Sequence, residues 1–314
     1  REGTVPSRYY LRSVYHFEHQ AMATRFQLTI AGETADYAAG AADRCFARLD
    51  YLENTLSRFI PDSEISRINR LTAGEELMLE RETWNVLRQA IEVQMWTGGT
   101  FDIGVAEHVD IFRAGKQGIL NAYEVERALE QTQATKAAAS LYLDPEHPRL
   151  YCVQAGMRFD LGGIGKGYAL DQLGLLLAEM EIENYTISAG DSTLLIRGAA
   201  NTDRSNWQFA IASAQDRHLL QLTDIAVSAS GTFHQGHHIF DPRTGRNSGV
   251  SQYERLWVAS PIAAYSDALS TGLFLLPPSE IAELVDQLAE ISWVAYSLEG
   301  KLTFVGPENV PLDP

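Results

Sequence analysis

The second half of the chain contains more short β-like segments than a regular alternation of strands and helices would give. The hydrophobic pattern predicts helices near 166–181, 262–276 and 279–289. It predicts strands at 138–143, 149–153, 157–161, 185–188, 192–197, 206–212, 224–229, 292–297 and 302–305. A doubly wound α/β protein would alternate the two kinds of element. The excess of strands therefore favours an α+β fold.

The first half of the chain has a mainly helical pattern after one strand. "TRFQLTIAG" (24–32) alternates in polarity like a half-buried strand. Helical patterns follow at 35–57, 61–69, 81–99 and 121–132. The second of these helices follows a proline and can be capped by Asp62 or Ser63.

Charge and composition exclude several classes of partner. The 314 residues carry 25 Lys and Arg against 41 Asp and Glu, and this net charge of -16 argues against a nucleic-acid or anionic-membrane surface. No run of about 18 apolar residues is present, so the sequence predicts a soluble chain without a membrane-spanning segment. The two cysteines, Cys45 and Cys152, lack metal-ligand spacing and favour two buried thiols over a single bridge. An anionic ligand would need a metal or backbone N–H groups to hold it.

A glycine-rich stretch with one lysine, "FDLGGIGKGYALD" (159–171), is the first candidate ligand site. It is not a P-loop, because Asp160 stands where the first glycine is needed and Gly167 where Ser or Thr is needed. It is not a dinucleotide fingerprint either, because Tyr168 takes the place of the last glycine. The stretch predicts a strand, a turn that a ligand can approach, and a helix N-terminus. The alternative is a tight strand-to-helix turn that binds nothing.

The second candidate site is "AAYSDALSTGLFLL" (263–276), where Asp267 and Thr271 are four residues apart. On a helix they share one face, which is otherwise apolar. Carboxylate and hydroxyl oxygens suit Mg²⁺, which would complete its coordination with a carbonyl, water and phosphate oxygens. The alternative is that Asp267 caps the helix and Thr271 bonds back to a carbonyl.

Two further motifs are weaker. "SASGTFHQGHHIFDPRTGR" (228–246) combines a turn with His234, His237 and His238, which fit either a transition-metal site or one acid/base histidine beside a phosphate. "TGGTFDIGV" (97–105) either binds a ring system or ends the preceding helix.

The order of these motifs resembles that of the ApbE family, the FAD:protein FMN transferases. The resemblance runs from about residue 20 to residue 276, nearly the whole chain. It is carried by "MAT" (22–24), "LSRFIPDSEISRIN" (56–69), "TGGTFD" (97–102), "DLGGIGKGYALD" (160–171), "SASG" with "HHIFDPRTG" (228–245) and "SDALST" (266–271).

The resemblance implies a T-fold-like α+β protein that binds FAD with Mg²⁺ on the pyrophosphate. Family members transfer FMN to a threonine hydroxyl of an acceptor protein and release AMP, and some hydrolyse FAD to FMN and AMP. It further implies one flavin transferase domain over 21–314 after an N-terminal extension, 1–20. It also suggests a periplasmic or membrane-anchored protein whose N-terminal signal has been removed.

The resemblance assigns roles residue by residue. Asp267 and Thr271 resemble the metal-binding side chains, and Gly165 resembles the residue whose carbonyl binds the metal. His238 matches the family histidine before "I-x-D-P", a candidate acid/base, and Asp267 is the other candidate catalytic residue. Cofactor contacts are implied for Met22, Phe59, Thr100, Phe101, Asp102, Gly162, Lys166 and Ile239.

Two departures from the family pattern bear on function. Phe59 stands where a tyrosine is common, which keeps a stacking ring and loses a hydroxyl. "SAGDST" (188–193) stands where the family usually has an "N-A-G-G-D" run. This second departure motivates the alternative of a flavin-binding protein without catalysis, beside FAD pyrophosphatase activity as the alternative within enzymes.

Overall fold

The computed structural model describes residues 13–199, 207–231, 240–247 and 252–306. In these ranges the helices are α1 (Ala35–Leu56), α2 (Glu64–Ile68), α3 (Arg81–Trp96), α4 (Ala106–Lys116), α5 (Ala122–Ala138), α6 (Gly165–Glu179), α7 (Ala263–Leu273) and α8 (Pro278–Gln287). The strands are β1 (Val14–Ala21), β2 (Thr24–Ala31), β3 (Glu76–Met78), β4 (Ser140–Leu143), β5 (Arg149–Gln154), β6 (Tyr185–Ala189), β7 (Thr193–Arg197), β8 (Trp207–Ala212), β9 (Arg217–Leu222), β10 (Ile225–Gly231), β11 (Phe240–Asp241), β12 (Arg246–Asn247), β13 (Arg255–Ser260), β14 (Trp293–Leu298) and β15 (Lys301–Val305).

One antiparallel sheet organises the described part of the chain. Its strand order is β1-β2-β6-β7-β10-β13-β14-β15, and each neighbouring pair is antiparallel. Helices α1, α3, α6 and α7 belong to the hydrophobic core on one face. The β8–β9 hairpin packs a second apolar cluster on the other face. Helices segregated on one face of an antiparallel sheet make this an α+β fold, as the sequence predicts.

The structure corrects the sequence-based elements at several places, and it contains α4, β3, β9 and the β11–β12 pair, which the sequence analysis did not predict. The predicted strand at 157–161 is wrong, because this segment bonds to side chains and a loop instead of a strand: Phe159 exchanges hydrogen bonds with the Asn69 side chain, and the Asp160 N–H donates to the carbonyl of Ile103 at 2.8 Å. The sequence analysis did not predict strand β1, which pairs with β2 along its whole length. Residues 14–20, within the predicted extension, therefore belong to the sheet.

Three other features agree with the sequence analysis. Ser63 caps α2 by accepting the N–H of Ser66 at 3.0 Å. Cys45 and Cys152 are both buried free thiols. Among the described helices, none is both long enough and apolar enough to cross a bilayer.

Helix α7 lies at the centre of the core. Ten of its eleven residues are buried, since it packs against β10 and β13 on one side and against α3 and α6 on the other. Its small residues allow this close packing, and its serines satisfy their hydroxyls across the interface with the sheet. Ser266 bonds to Ser228 at 2.6 Å, and Ser270 bonds to Ser230 at 3.0 Å.

The N-terminus of α7 meets α6 at two special contacts. An added Cβ on Gly167 would lie 2.1 Å from the carbonyl oxygen of Ala263, so only glycine fits this crossing. One turn further along α6, the Asp171 carboxylate accepts the N–H groups of Ala263 and Ala264, each at 2.8 Å. Asp171 thereby caps α7 from a neighbouring helix and fixes where α7 begins.

We expect Gly167→Ala to lower the free energy of unfolding by about 3 kcal/mol or more, because its Cβ would meet backbone atoms that cannot rotate away. Gly165→Ala is the matched control in the same helix, since its Cβ would meet nothing closer than 3.8 Å. We expect that control to change stability by less than about 1 kcal/mol. Urea denaturation followed by circular dichroism measures both, and equal losses would contradict the crossing argument.

Asp171 makes the stability dependent on pH. Burial raises the pKa of Asp171 to about 6, against the opposing effect of its two backbone N–H bonds. Because this pKa lies above that of an unfolded chain, the contribution of Asp171 to stability is complete below about pH 4 and is lost as the pH rises through about 6. Relative to Asp171→Asn, the wild-type free energy of unfolding should fall by about 3 kcal/mol between these limits. Denaturant titrations at pH 4, 5, 6 and 7 measure the difference, and parallel curves would refute it.

Candidate functional site

The Asp267 carboxylate is the centre of the candidate site. It lies in the middle of α7 with a side chain only 6% exposed. Its Oδ2 accepts the N–H of Gly167 at 3.0 Å, and its Oδ1 accepts the hydroxyl of Thr193 at 3.1 Å. Lys166 Nζ lies 3.2 and 3.3 Å from the two oxygens. Asp267 therefore does not cap its own helix; it binds the first turn of α6.

The glycine turn before α6 supplies the other side of this site. Lys166 Nζ also donates to the carbonyl of Gly162 at 3.2 Å, so the lysine joins the turn to Asp267. Gly165 begins α6, and its N–H donates to Leu161 O at 2.7 Å. Gly162, Gly165 and Lys166 are thus brought to Asp267, which the separate motifs could not show.

Thr271 extends the site by one helical turn. Its hydroxyl lies 3.5 Å from the Asp267 carbonyl, a long back-bond of the kind proposed as the alternative to metal binding. An added Cβ on Gly163 would lie 3.6 Å from Thr271 Oγ1 and 3.2 Å from the ring of Phe101. Thr271, Phe101 and the glycine turn are therefore in one place.

The segment after α3 supplies three predicted cofactor residues, all held by protein contacts. Helix α3 ends at Trp96, so the glycine pair does terminate a helix. Thr100 is buried and donates its hydroxyl to the carbonyl of Thr97 at 3.1 Å. Asp102 pairs with Lys136 at 2.6 Å, with both side chains 10% exposed, and accepts the N–H of Gly104. These contacts fix the segment and orient Phe101.

An arginine that the sequence analysis did not single out connects Phe59 to the glycine turn. Arg58 Nε donates to Asp160 Oδ2 at 2.6 Å, and its two terminal nitrogens donate to Asp110 at 2.8 and 3.0 Å. Asp160 in turn accepts the N–H of Gly162 at 2.8 Å. The Arg58 guanidinium also lies 4.2 Å from the centre of the Phe59 ring, which is 62% exposed. Phe59 therefore presents an open aromatic face, anchored through Arg58.

The turn that contains Met22 lies at the end of the sheet where β6 joins β7. Met22 links β1 to β2 with a φ of 50°, and its N–H donates to Glu53 at 2.8 Å. Gly190, in the departing "SAGDST" run, has a φ of 57°, and a Cβ there would lie 2.6 Å from Thr24 Oγ1. The Met22 turn is related to Asp267 through the neighbouring β6–β7 turn, where Thr193 begins the strand after Gly190.

The turn at 240–245 is anchored on α4 and α5. Phe240 stacks on His108 with ring centres 5.3 Å apart, and Gln133 donates to the carbonyl of Arg243 at 3.2 Å. Burial, followed by the charge of Lys136, lowers the pKa of His108, which favours a neutral ring. His234, His237, His238 and Ile239 lie outside the described residues, so their assignments stay predictions.

An open groove of about 880 Å³ lies beside this turn, between α4 and α5. Its lining includes Phe112, Leu129, Gln133, Thr244 and Gly245, and none of the predicted site residues that the structure describes belongs to it. The buried charges at Asp267 and the glycine turn, rather than this groove, therefore define the candidate site.

The donor set around Asp267 fits a hard cation bound with substrate oxygens. Within the described ranges, no group of three or more His, Cys, Asp or Glu side chains is placed to hold a metal. Mg²⁺ is commonly held by one or two carboxylates together with substrate phosphates, so a single Asp with a hydroxyl nearby meets its needs. The Lys166 ammonium already provides a positive charge at this carboxylate.

The sequence analysis missed four residues that build the site: Arg58, Asp160, Asp171 and Thr193. Asp160 and Asp171 stand at the two ends of the motif "DLGGIGKGYALD", where they were available as signals. An acid placed just before a turn or on the buried face of a helix is a common partner for backbone N–H groups. Thr193 and Arg58 had no such signal, since their partners are distant in sequence.

Comparisons with known proteins identify the family of this chain. The model of the ApbE family matches residues 22–294. The chain is 24% identical over 302 residues to the FAD:protein FMN transferase of Escherichia coli K12, covering 89% of this chain and 83% of that protein. It is 28% identical over 210 residues to the FAD:protein FMN transferase of Buchnera aphidicola, covering 63% and 62%.

Solved structures show the same fold. The flavin transferase ApbE of Vibrio cholerae superposes with a TM-score of 0.82 at 21% identity, covering 95% of this chain and 98% of that chain. The ApbE protein of Thermotoga maritima superposes with a TM-score of 0.76 at 21% identity, covering 93% and 97%. With a family model that matches most of its length, the chain belongs to the ApbE family.

Proposed function

We propose that this chain is a Mg²⁺-dependent flavin transferase that moves FMN from FAD to a threonine hydroxyl of an acceptor protein and releases AMP. Membership of the ApbE family, with relatives named FAD:protein FMN transferase, supports a flavin transferase enzyme. The observation that carries the proposal is the buried Asp267 carboxylate, which meets Lys166 and the first turn of α6 beside a glycine turn.

Asp267, Thr271 and the carbonyl of Gly165 are the residues that would hold Mg²⁺. Asp267 and Thr271 are one turn apart on α7, and Gly165 is two residues from the Gly167 N–H that Asp267 accepts. A bound Mg²⁺ would offset the negative charge of the pyrophosphate and of the leaving AMP. With a charge of -16 on the whole chain, such a local cation would favour the binding of an anionic substrate.

The surrounding residues bind and orient the dinucleotide. The exposed ring of Phe59 offers a stacking face for the flavin or adenine. The first turn of α6 offers the positive end of the helix dipole to phosphate oxygens, while its Gly165 and Gly167 N–H groups are bonded to Leu161 and Asp267. Met22, Thr100, Phe101, Asp102, Gly162, Lys166 and Ile239 remain the proposed cofactor contacts.

In the reaction, the acceptor threonine oxygen bonds to the phosphorus on the FMN side, and the bond from that phosphorus to the bridging oxygen breaks. The AMP portion leaves with the bridging oxygen and its electron pair. The hydroxyl proton must pass to a base, for which His238 and Asp267 are the proposed candidates. Transfer to water in place of threonine would give the alternative, hydrolysis of FAD.

The "SAGDST" departure does not remove the close backbone approach at this turn. Gly190 keeps a left-handed backbone and leaves no room for a Cβ beside Thr24. Thr193, at the end of the same run, donates its hydroxyl to Asp267. The run therefore still contributes to the proposed metal site through Thr193.

We expect Asp267→Asn to reduce covalent flavinylation of an acceptor by about a hundredfold or more, because the amide would remove the only proposed carboxylate ligand of the metal. In-gel flavin fluorescence of the acceptor measures the transfer. The matched control is Asp286→Asn, on the exposed surface of α8, which should transfer at the wild-type rate. Equal flavinylation by both variants would sink the assignment of Asp267.

Release of AMP distinguishes transfer from hydrolysis. The protein is incubated with FAD and Mg²⁺, with and without a threonine-containing acceptor, and AMP is measured by liquid chromatography. Transfer predicts AMP only with acceptor, together with an acceptor mass increased by one FMN residue. AMP at equal rates in both samples would establish the pyrophosphatase, and intact FAD in both would establish a flavin carrier.

A further inference from the structure

Lys166 and the proposed metal compete for the same carboxylate. Lys166 Nζ lies within 3.3 Å of both oxygens of Asp267, the group proposed as the charged metal ligand. The same ammonium donates a hydrogen bond to the carbonyl of Gly162 at 3.2 Å. Carboxylate and carbonyl oxygens are the kinds of ligand that Mg²⁺ binds. The ammonium therefore holds a position suited to a small hard cation.

The two partners of this ion pair differ in freedom. The Asp267 side chain is 6% exposed and is also held by Gly167 and Thr193, so it cannot move without disturbing three elements. The Lys166 side chain is 21% exposed, and its ammonium lies at the end of a flexible four-carbon stem. If a second cation arrives, the lysine is the member that moves.

We propose that Lys166 is an exchangeable cation: it neutralises Asp267 in the metal-free protein and is displaced from that carboxylate when the metal binds. This inference rests on the proposed function, because it concerns the metal site of the flavin transferase. Displacement leaves a positive side chain in the first turn of α6, where the pyrophosphate of FAD is proposed to lie. Metal binding would thereby prepare the site for its anionic substrate.

If Lys166 is exchanged for the metal, replacing this lysine should raise the affinity of the site for the metal. Removing the ammonium removes both a competitor for Asp267 and a like charge close to the metal, so metal affinity in the absence of FAD should rise. A lysine that only lines the cofactor would leave this affinity unchanged. A lysine needed only to fold the site would lower it. The direction of the change therefore separates a lysine that opposes metal binding from both other roles, and the acylation measurement below tests whether the ammonium is displaced.

The test titrates each protein with Mn²⁺ alone, without FAD, and follows free Mn²⁺ by electron paramagnetic resonance. We expect Lys166→Met to bind about tenfold more tightly than wild type, and Lys166→Arg, which keeps a cation, to bind within about threefold of wild type. Lys301→Met, at an exposed position of β15, makes the same change in net charge away from the site and should match wild type. Asp267→Asn should lose binding.

The outcomes distinguish this inference from the proposed function. Asp267-dependent binding with Lys166→Met equal to or weaker than wild type would overturn the exchange and leave the metal site standing. Wild-type binding that appears only when FAD is added would also overturn the exchange. Wild-type binding that is insensitive to Asp267→Asn, or that stays absent when FAD is added, would overturn the metal site itself. Far-UV circular dichroism checks that each variant is folded.

A measurement on the wild-type protein tests the exchange without any substitution. Acylation of individual lysines by a water-soluble ester is followed by mass spectrometry, with and without saturating Mn²⁺. We expect Mn²⁺ to speed acylation of Lys166 at least about threefold, because an ammonium displaced from the buried Asp267 carboxylate becomes more accessible to the reagent. Lys301 should be unaffected, and an unchanged rate at Lys166 would refute the exchange.

Discussion

The buried charge of Asp267 is the constraint on which the arrangement of this protein depends. Placing an ionised carboxylate in the core costs several kcal/mol unless it is paired and hydrogen bonded. Its partners come from different elements: Lys166 and Gly167 from α6, and Thr193 from β7. Each element must take its place for the charge to be satisfied, so the same contacts that make the core tolerable bring together the proposed metal ligands.

The close approach of α6 and α7 follows from small residues and one acid. Gly167 lets the two backbones come together, and Asp171 bonds the first two N–H groups of α7 so that the helix begins at a fixed residue. Because the start of α7 is fixed, the position of Asp267 one turn later is fixed as well. A shift of a few residues in the start of α7 would move the carboxylate off the face that meets α6. The site is therefore built on rigid elements, with the geometry specified by contacts beside it.

Most of the element types could be predicted from sequence, because helices such as α1 and strands such as β2 have clear periodicity. The segment 157–161 misled this reasoning, since an extended chain bonded to side chains has the same composition as a strand. For the site, the spacing of Asp267 and Thr271 gave a shared helical face but not their partners. Which cation pairs with the Asp267 carboxylate depends on a contact between residues about a hundred positions apart, and this contact follows from the tertiary fold alone. Family resemblance supplied the grouping that local pattern could not.

The ion pairs of Arg58 connect the two sides of the proposed cofactor site. Asp160 accepts from Arg58 with one oxygen and from the Gly162 N–H with the other, while the guanidinium lies over the Phe59 ring. The aromatic face and the glycine turn therefore share one anchor. Because the Arg58 side chain is only 6% exposed, its pairing is screened less by solvent than a surface ion pair would be. A dinucleotide that stacks on Phe59 and places its phosphates at α6 would contact two surfaces whose separation is already fixed, so little ordering of the protein would oppose its binding.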